Sequence, residues 1–310
     1  MESKYSLIDG KLIEAEDEHH VNWIDLVSPT EEEIKNIINT YGVPKDYLYD
    51  AKDAYEVPRV EGLKDTGSNL FILSYPIKMN ETTYYTRVVS IILLEDLIVT
   101  VRFIDAPIFD ELKANNFGKV DFQEDIDSII LELAWLISKT FNNYLEDLDY
   151  QIQQIENKIK DTTKTELLNN MIEIQRSLIH FRTGIIENAP VIESLFNSNI
   201  TIDYEFEEDL LHDLMVENKQ AQIVVEKSVN MLENLTDLYS NVISNNLNTV
   251  VKGLTSITIV LTIPTIVGGL WGMNTGLPLG DHPHGFWYLL LGTIIVSVII
   301  IYFLRKKDYL

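Results

Sequence analysis

The sequence predicts a membrane protein of the α+β class, with an N-terminal α/β domain, a long helical stalk and two C-terminal transmembrane helices. Residues 254–270 and 286–304 carry no charged side chain, and about 20 apolar residues suffice to cross a bilayer. In residues 1–120, runs rich in β-branched and aromatic residues alternate with short helical patterns, as expected of strands and helices. From residue 121 onward, apolar residues recur at helical spacing up to the first uncharged segment.

The first domain, residues 1–120, is predicted to contain several strands and two helices. Thr30 and Glu33 have the spacing of a capping box, so a helix is expected over Glu31 to Tyr41, with Gly42 as its end. A second short helix follows Pro44 and extends through residue 51. Strands are predicted at residues 21–26, 59–62, 70–75, 84–94 and 97–103. The last two are separated by two residues only, which favours a hairpin.

Residues 121–203 are predicted to form an antiparallel helical pair. The first helix runs to about residue 160, and the second covers 164–188 until Pro190 interrupts or kinks it. After a loop at 197–203, a stalk helix over 204–253 meets no breaker and continues into the membrane. At ~1.5 Å per residue, such a helix of roughly 60 residues is about 90 Å long. It needs packing partners, either the helical pair or copies of itself.

The charge distribution predicts the orientation. Arg305, Lys306 and Lys307 follow the second span directly, and Lys252 precedes the first. Because short segments rich in Lys and Arg stay on the cytoplasmic side, both termini are expected to be cytoplasmic. The chain is therefore predicted to be a multi-pass protein of the plasma membrane, with an outer loop at residues 271–285 and a cytoplasmic basic tail at residues 305–310.

Composition narrows the function. The formal net charge of −24 argues against nucleic acid or anionic lipid as partners and is compatible with cations, although acidity also simply solubilises a surface. The chain has no cysteine, so metal ligands are restricted to oxygen atoms and a few His. There is no glycine-rich phosphate loop and no catalytic constellation. We therefore expect neither an enzyme nor a bound cofactor.

The first span has a polar face. At 3.6 residues per turn, one third of the helix circumference holds Val251, Leu254, Thr255, Thr258, Thr262 and Thr265, and Asn248 continues this face toward the cytoplasm. Four hydroxyls on one face favour a lined path for ions. The alternative is that these hydroxyls bond back to the helix or hold neighbouring helices together.

The segment Trp271-Gly272-Met273-Asn274 stands at the outer end of this face. Gly272 permits a tight turn, and Asn274 offers a neutral carbonyl oxygen. A ring of such oxygens can hold a divalent cation that keeps its tightly bound water. Two spans are too few to enclose a hydrophilic path, so several copies around an axis are predicted.

With these features the chain resembles the CorA family of divalent-cation channels, the 2-TM-GMN proteins, over nearly its whole length. The resemblance rests on Gly272-Met273-Asn274 after the first of two C-terminal spans, on residues 248–255 and 174–196, and on the basic tail. It implies a funnel-shaped homopentamer that conducts Mg2+, and in some members Co2+ or Ni2+, passively under the membrane potential. It also implies gating by intracellular divalent cations, so that Mg2+ is both substrate and regulatory ligand.

The resemblance also implies roles for individual residues. Gly272, Met273 and Asn274 are similar to the outer selectivity ring. The pore-facing layers correspond to Asn248, Val251, Leu254, Thr258, Thr262 and Thr265. The basic collar at the inner mouth corresponds to Lys252, Arg305, Lys306 and Lys307. Asp213, with Asp209 one turn earlier, lies about where the family's regulatory metal site falls, although an exposed acid on a solvated helix face explains both residues equally well.

Two departures from the family pattern concern closure and ion capture. Thr262 stands where many members have a bulky Met, which leaves Leu254 as the candidate hydrophobic gate. The outer loop lacks the usual early Glu, so Asp281 is the candidate for capturing the incoming ion. His282 and His284 keep a Zn2+ or other transition-metal substrate open. A third reading is a non-conducting, membrane-anchored metal sensor.

Overall fold

The computed structural model describes residues 1–8, 11–15, 21–63, 68–114, 126–159, 165–197, 204–273, 276, 278, 282–307 and 309. The chain divides into two compact units, Met1–Leu235 and Thr236–Leu310. The first unit contains a sheet with its helices, and the second contains two apolar helices.

The sheet of the first unit has seven strands: β1 (Glu2–Ile8), β2 (Lys11–Glu14), β3 (Trp23–Val27), β4 (Arg59–Leu63), β5 (Ser68–Lys78), β6 (Tyr84–Leu93) and β7 (Ile98–Arg102). Their spatial order is β2-β1-β3-β7-β6-β5-β4. Strands β3 and β7 pair in parallel, and every other neighbouring pair is antiparallel. The predicted hairpin is confirmed, because β6 pairs with β7 across the turn at Glu95 and Asp96.

Two short helices cover part of the sheet. Helix α1 (Glu31–Tyr41) begins with the predicted capping box between Thr30 and Glu33, and ends at Gly42, whose φ of 70° is left-handed. Helix α2 (Lys45–Tyr49) continues as a 3-10 turn over Asp50–Lys52. Their apolar side chains are buried in one core with residues of β3, β5, β6 and β7. Burial of this apolar surface stabilises the domain.

A buried ion-pair network joins the two parallel strands to helix α3 (Pro107–Ala114). Asp25 and Arg102 are both fully buried and form a salt bridge. Lys113 lies 2.8 Å from the other oxygen of Asp25, and Thr100 donates a hydrogen bond to Asp25. Because Asp25 has both cations as partners, its burial does not leave an unpaired charge.

Two long helices follow, α4 (Asp127–Ile159) and α5 (Thr165–Asn197). Helix α5 approaches the sheet closely at Gly184, where an added Cβ would lie 3.1 Å from the Cβ of Ser74. One turn later, the Asn188 amide makes hydrogen bonds of 2.8 Å with both the N–H and the carbonyl of Ser74. The pairing of β4 with β5 stops at Ile72. Beyond that point, the Asn188 side chain takes the place of a neighbouring strand as the hydrogen-bond partner of Ser74.

Of the two predicted effects of Pro190, a kink or an interruption of the second helix, the interruption is wrong. Helix α5 contains Pro190 and continues to Asn197. Proline removes one backbone hydrogen bond of the helix, but Val191, Ile192 and Leu195 in the following turns are buried. Their packing keeps the chain helical after the proline.

The remaining elements are α6 (Tyr204–Trp271) and α7 (Gly285–Lys306). The prediction of one uninterrupted helix leading into the first apolar segment is confirmed, since α6 has 68 residues. Asn197, the first residue of the loop predicted at 197–203, is the last residue of α5. The rest of that loop and residues 160–164 between the two predicted helices lie outside the described residues.

Candidate functional site

The candidate site is the second unit, in which the C-terminal part of α6 and the whole of α7 are apolar. Both helices are long and apolar enough to cross a membrane, by length and composition. Most of their large apolar side chains are exposed. A core helix of a soluble protein would be buried, so the exposed apolar surface of both helices favours lipid as their environment.

One face of α6 is shielded within the unit. Ser256 is fully buried, and Gly253, Val260, Ile263 and Val267 are partly buried at spacings of three and four residues. Helix α7 has a matching stripe of partly buried positions, which includes Leu289, Thr293, Ser297, Ile300 and Leu304. Small residues on both stripes are typical of helices that approach one another in membranes.

The predicted polar face lies on the opposite side of α6. Val251, Leu254, Thr258, Thr262 and Thr265 are all exposed, and Leu254 is 66% exposed. At 100° per residue, Thr258 and Thr265 are roughly 160–180° away from the buried Ser256. This face is therefore available to another molecule or to water.

The threonine hydroxyls of this face are oriented by the helix itself. Thr258, Thr262 and Thr265 each donate a hydrogen bond to the carbonyl four residues earlier, at 2.9, 2.7 and 2.9 Å. The back-bonding considered as an alternative is thus present. A hydroxyl has one proton and two lone pairs, so each oxygen keeps acceptor capacity toward the exposed side. Back-bonding and a lined path are therefore compatible.

The C-terminal end of this face is a tightened helix terminus. The Gly272 N–H donates to the Gly268 carbonyl at 3.0 Å, and the Met273 N–H donates to the Leu270 carbonyl at 3.4 Å. A Cβ at residue 272 would lie 3.3 Å from the Gly268 oxygen, which explains the glycine there. The Met273 side chain is exposed. Asn274, the third residue of the motif, lies outside the described residues.

At the N-terminal end of this face, Asn248 and Lys252 are exposed on α6, and Arg305, Lys306 and Lys307 are exposed at the end of α7. The Lys252 ammonium lies 5.6 Å from the ring centroid of Tyr309. Ser256, one turn after Lys252, donates a hydrogen bond of 2.9 Å to the carbonyl of Tyr309. Neither Ser256 nor Tyr309 was predicted from the sequence. The available signal was that Ser256 has its hydroxyl on the side of the span opposite to the threonines.

The two loop histidines lie close together. Their ring centroids are 6.2 Å apart, and the ring of His282 also lies 5.8 Å from that of Tyr288. The His284 N–H faces Nδ1 of His282 at 3.3 Å, which leaves Nε2 of His282 as its available ligand atom. Asp281, the predicted carboxylate for ion capture, lies outside the described residues.

The predicted regulatory acids are on α6. Asp213 is partly buried and has an interaction partner within the chain, whereas the side chain of Asp209 lies outside the described residues. Within the described part of a single copy, no three His, Asp or Glu side chains are grouped so that they could hold a metal ion.

Comparison with known proteins decides the family. Residues 18–306 match the model of the family described as "CorA-like Mg2+ transporter protein". The chain belongs to this family. The CorA family comprises ion transporters rather than enzymes.

Relatives and solved structures agree with this assignment. The cobalt/magnesium transport protein CorA of Methanocaldococcus jannaschii is 22% identical, over 98% of this chain and 96% of its own. The magnesium transport protein CorA of Helicobacter pylori is 21% identical, over 95% of this chain and 92% of its own. The complete structure of the M. jannaschii CorA magnesium transporter aligns with a TM-score of 0.85 at 20% identity, over 100% of this chain and 98% of that one. The structure confirms the soluble α/β domain, the long helix and the two apolar C-terminal helices.

Proposed function

We propose that this chain forms a passive channel for Mg2+, driven by the membrane potential, which also admits Co2+ or Ni2+. Membership of the CorA family and the cobalt/magnesium transport named for the M. jannaschii relative support the ion class. The observation that carries the proposal is the exposed threonine face of α6, which leads directly to Gly272 and Met273 at its outer end.

The orientation of the threonine hydroxyls suits a hydrated cation. Mg2+ holds its water strongly and usually keeps several water molecules when it binds. Those waters turn their oxygens toward the ion and their protons outward, so they need acceptors. Because Thr258, Thr262 and Thr265 donate their own protons to the helix, they present oxygen lone pairs along the path. Such a face accepts hydrogen bonds from the hydration shell without removing it.

At the outer mouth, we assign Asn274 to the selectivity ring together with Gly272 and Met273. Neutral carbonyl oxygens at Asn274 would bind the outer waters of Mg2+ strongly enough for entry. A carboxylate at this position would retain a divalent ion too tightly for rapid release.

The path requires more than one copy. Two spans cannot enclose a hydrophilic channel, and the threonine face of a single copy is exposed. We propose a homopentamer in the plasma membrane, with the threonine faces directed to the axis and both termini in the cytoplasm. Exposed apolar groups of the two helices then face lipid or neighbouring copies.

Two features concern closure. We assign Leu254, exposed on the pore face, as the hydrophobic constriction that gates by dewetting. Thr262 is polar where many relatives have Met, so its layer gives a weaker seal. For regulation, we assign Asp213 and Asp209 as carboxylates that bind intracellular Mg2+ together with acidic groups of a neighbouring copy. Bound Mg2+ would neutralise the repulsion between subunits and hold the channel closed.

Flux into liposomes tests the proposal. The purified chain is expected to admit Mg2+ into vesicles that contain a Mg2+-sensitive dye, and Asn274→Ala is expected to abolish or deregulate this flux. Asn230→Ala is a matched control, because Asn230 is exposed on α6 in the first unit. Equal flux and selectivity for the wild type and Asn274→Ala would refute the assignment of the selectivity ring.

A transition-metal substrate is the second candidate, favoured by the 6.2 Å separation of the His282 and His284 rings. Several copies around an axis would bring more imidazoles together, and imidazole suits Zn2+, Co2+ and Ni2+. Uptake that saturates with micromolar Zn2+, ignores Mg2+ and is lost in a His282→Ala/His284→Ala variant would favour this candidate. Any ion flux through the purified chain excludes the non-conducting sensor.

A further inference from the structure

The C-terminal tail contacts the inner end of α6. The Ser256 hydroxyl donates to the Tyr309 carbonyl at 2.9 Å across 53 residues of sequence. Thr258, Thr262 and Thr265 donate to carbonyls of their own helix, whereas Ser256 donates to a carbonyl outside its helix. Its side chain is fully buried, and a buried hydroxyl without a partner would be costly. The tail therefore provides a specific partner for Ser256.

The same tail residue is also tied to α7. The Tyr309 N–H donates to the Leu304 carbonyl at 3.0 Å, and the Lys307 N–H reaches the same carbonyl at 3.2 Å. The chain thus turns directly after α7 ends at Lys306. Tyr309 contacts α7 through its N–H and α6 through its carbonyl, so it links the inner ends of the two helices.

The Tyr309 ring lies near the charged Lys252 side chain, at the edge of the threonine face. The Lys252 ammonium lies 5.6 Å from the ring centroid, within the distance of a cation–π interaction. At 100° per residue, Lys252 is about 40° from Ser256 and about 100° from the middle of the threonine face. A flexible lysine at this position can turn toward the tail or toward the path.

We propose that Tyr309 is a positioning residue that holds the Lys252 ammonium against the tail and away from the inner mouth of the path. This inference rests on the proposed Mg2+ flux and adds a specific function for the last residues of the chain. The cation is held by the ring, and the ring is held by the bonds to Ser256 and Leu304. When the ring is absent, Lys252 is free to approach the path.

The consequence for Mg2+ is electrostatic. A free ammonium near the mouth repels a doubly charged ion, and this repulsion weakens as salt shortens the Debye length. A cation–π contact at a partly exposed site favours the held position roughly two- to five-fold. Loss of the ring is therefore expected to lower Mg2+ flux by about that factor at low ionic strength.

The link between tail and helix is tested by cross-linking without any flux measurement. The chain contains no cysteine, so a Ser256→Cys/Tyr309→Cys variant has a single thiol pair. Oxidation is expected to join the tryptic peptides 253–305 and 308–310, as detected by mass spectrometry. Thr258→Cys/Tyr309→Cys is the matched control, since Thr258 lies on the opposite face of α6. Equal cross-linking of the two pairs, or none, would overturn the proposed tail contact.

Liposome flux tests the role of Lys252. Tyr309→Ala is expected to reduce Mg2+ flux about two- to five-fold, whereas Tyr309→Phe keeps the ring and conducts faster than Tyr309→Ala. Adding Lys252→Gln to Tyr309→Ala is expected to restore the flux, and higher ionic strength to shrink the defect. A merely structural role predicts neither the rescue nor the salt dependence. Failure of the rescue would overturn the proposal.

The two failures are distinguishable. If the wild-type chain carries no Mg2+, the proposed function fails and the charge effect fails with it, while the cysteine pair still decides whether the tail binds α6. If the wild type conducts and Tyr309→Ala equals Tyr309→Phe, only the role of Tyr309 is refuted.

Discussion

Asn188 should be one of the most sensitive polar positions of the first unit. Its amide accepts a hydrogen bond from the Ser74 N–H and donates one to the Ser74 carbonyl, both at 2.8 Å. Asn188 is 1% exposed and Ser74 is 5% exposed, so water does not easily replace the amide. We expect Asn188→Ala to leave two buried backbone groups of β5 without partners.

The magnitude follows from those two groups. Each unpaired buried group costs about 1–3 kcal/mol, and we take about 3 kcal/mol for both, because some relaxation is expected. For a unit of this size, each kcal/mol lowers the unfolding midpoint by about 2–4 °C. Asn188→Ala is therefore expected to lower the midpoint by about 6–12 °C, measured by circular dichroism of the full chain in detergent.

Two further variants sharpen this test. Asn169→Ala changes an exposed residue of the same helix and should alter the free energy of unfolding by less than about 0.5 kcal/mol. Asn188→Asp keeps the acceptor but opposes a carboxylate to the Ser74 carbonyl. Protonation restores a donor, so its destabilisation should shrink as the pH falls. Equal midpoints for Asn188→Ala and Asn169→Ala would refute the reasoning.

Three other predictions concern packing, pH and the path. Gly184→Val should lower the unfolding midpoint, at a cost of about 1–3 kcal/mol, because even a Cβ there would lie 3.3 Å from Phe141; a wild-type midpoint would contradict this. Burial raises the pKa of Asp105, but the hydrogen bond and charge of Arg102 outweigh it, so the folded pKa lies below the ordinary 3.8. The stability that the Asp105 carboxylate contributes is present above pH 3.8 and is lost as the pH falls through the folded pKa. Asp105→Asn should therefore reduce the loss of stability at acidic pH, as measured by melting curves over a range of pH. An unaltered pH profile would argue against the pairing of Asp105 with Arg102. Thr262→Val keeps the shape of the side chain but removes the hydroxyl oxygen that accepts hydrogen bonds. Because such a hydrogen bond contributes about 1 kcal/mol, Mg2+ flux should fall about five-fold. Thr262→Ser should conduct better than the valine variant, and equal flux in both would contradict the role of the hydroxyl.

Local signals in the sequence predicted much of the fold. The Thr30 and Glu33 pair and the left-handed Gly42 act within one helix, and the structure shows both as expected. The hairpin of β6 and β7 was likewise visible in a two-residue connection. Two uncharged segments of sufficient length predicted the two apolar C-terminal helices. Such features depend on residues that are close together along the chain, so they can be predicted from one sequence.

Features that depend on distant residues were missed. Strands β1 and β2 and helix α3 were not predicted, because β1 is stabilised mainly by its pairing with β2 and β3. The helix after Pro190 persists through its packing, which local propensity does not contain. The contact of Ser256 with Tyr309 joins residues 53 positions apart. Helical spacing predicted the polar face of α6, and the structure adds the orientation of the hydroxyls of Thr258, Thr262 and Thr265.

The most direct test of the central claim is the response of Mg2+ uptake to an imposed voltage. Moving one charge through 100 mV changes its free energy by about 2.3 kcal/mol, so a divalent ion gains about twice that amount. In sealed proteoliposomes without ATP or a coupling ion, a potassium diffusion potential that is negative inside should accelerate Mg2+ uptake, and a potential of the opposite sign should slow it. Uptake that is absent, or that is indifferent to the sign of the potential, would contradict passive conduction by this chain.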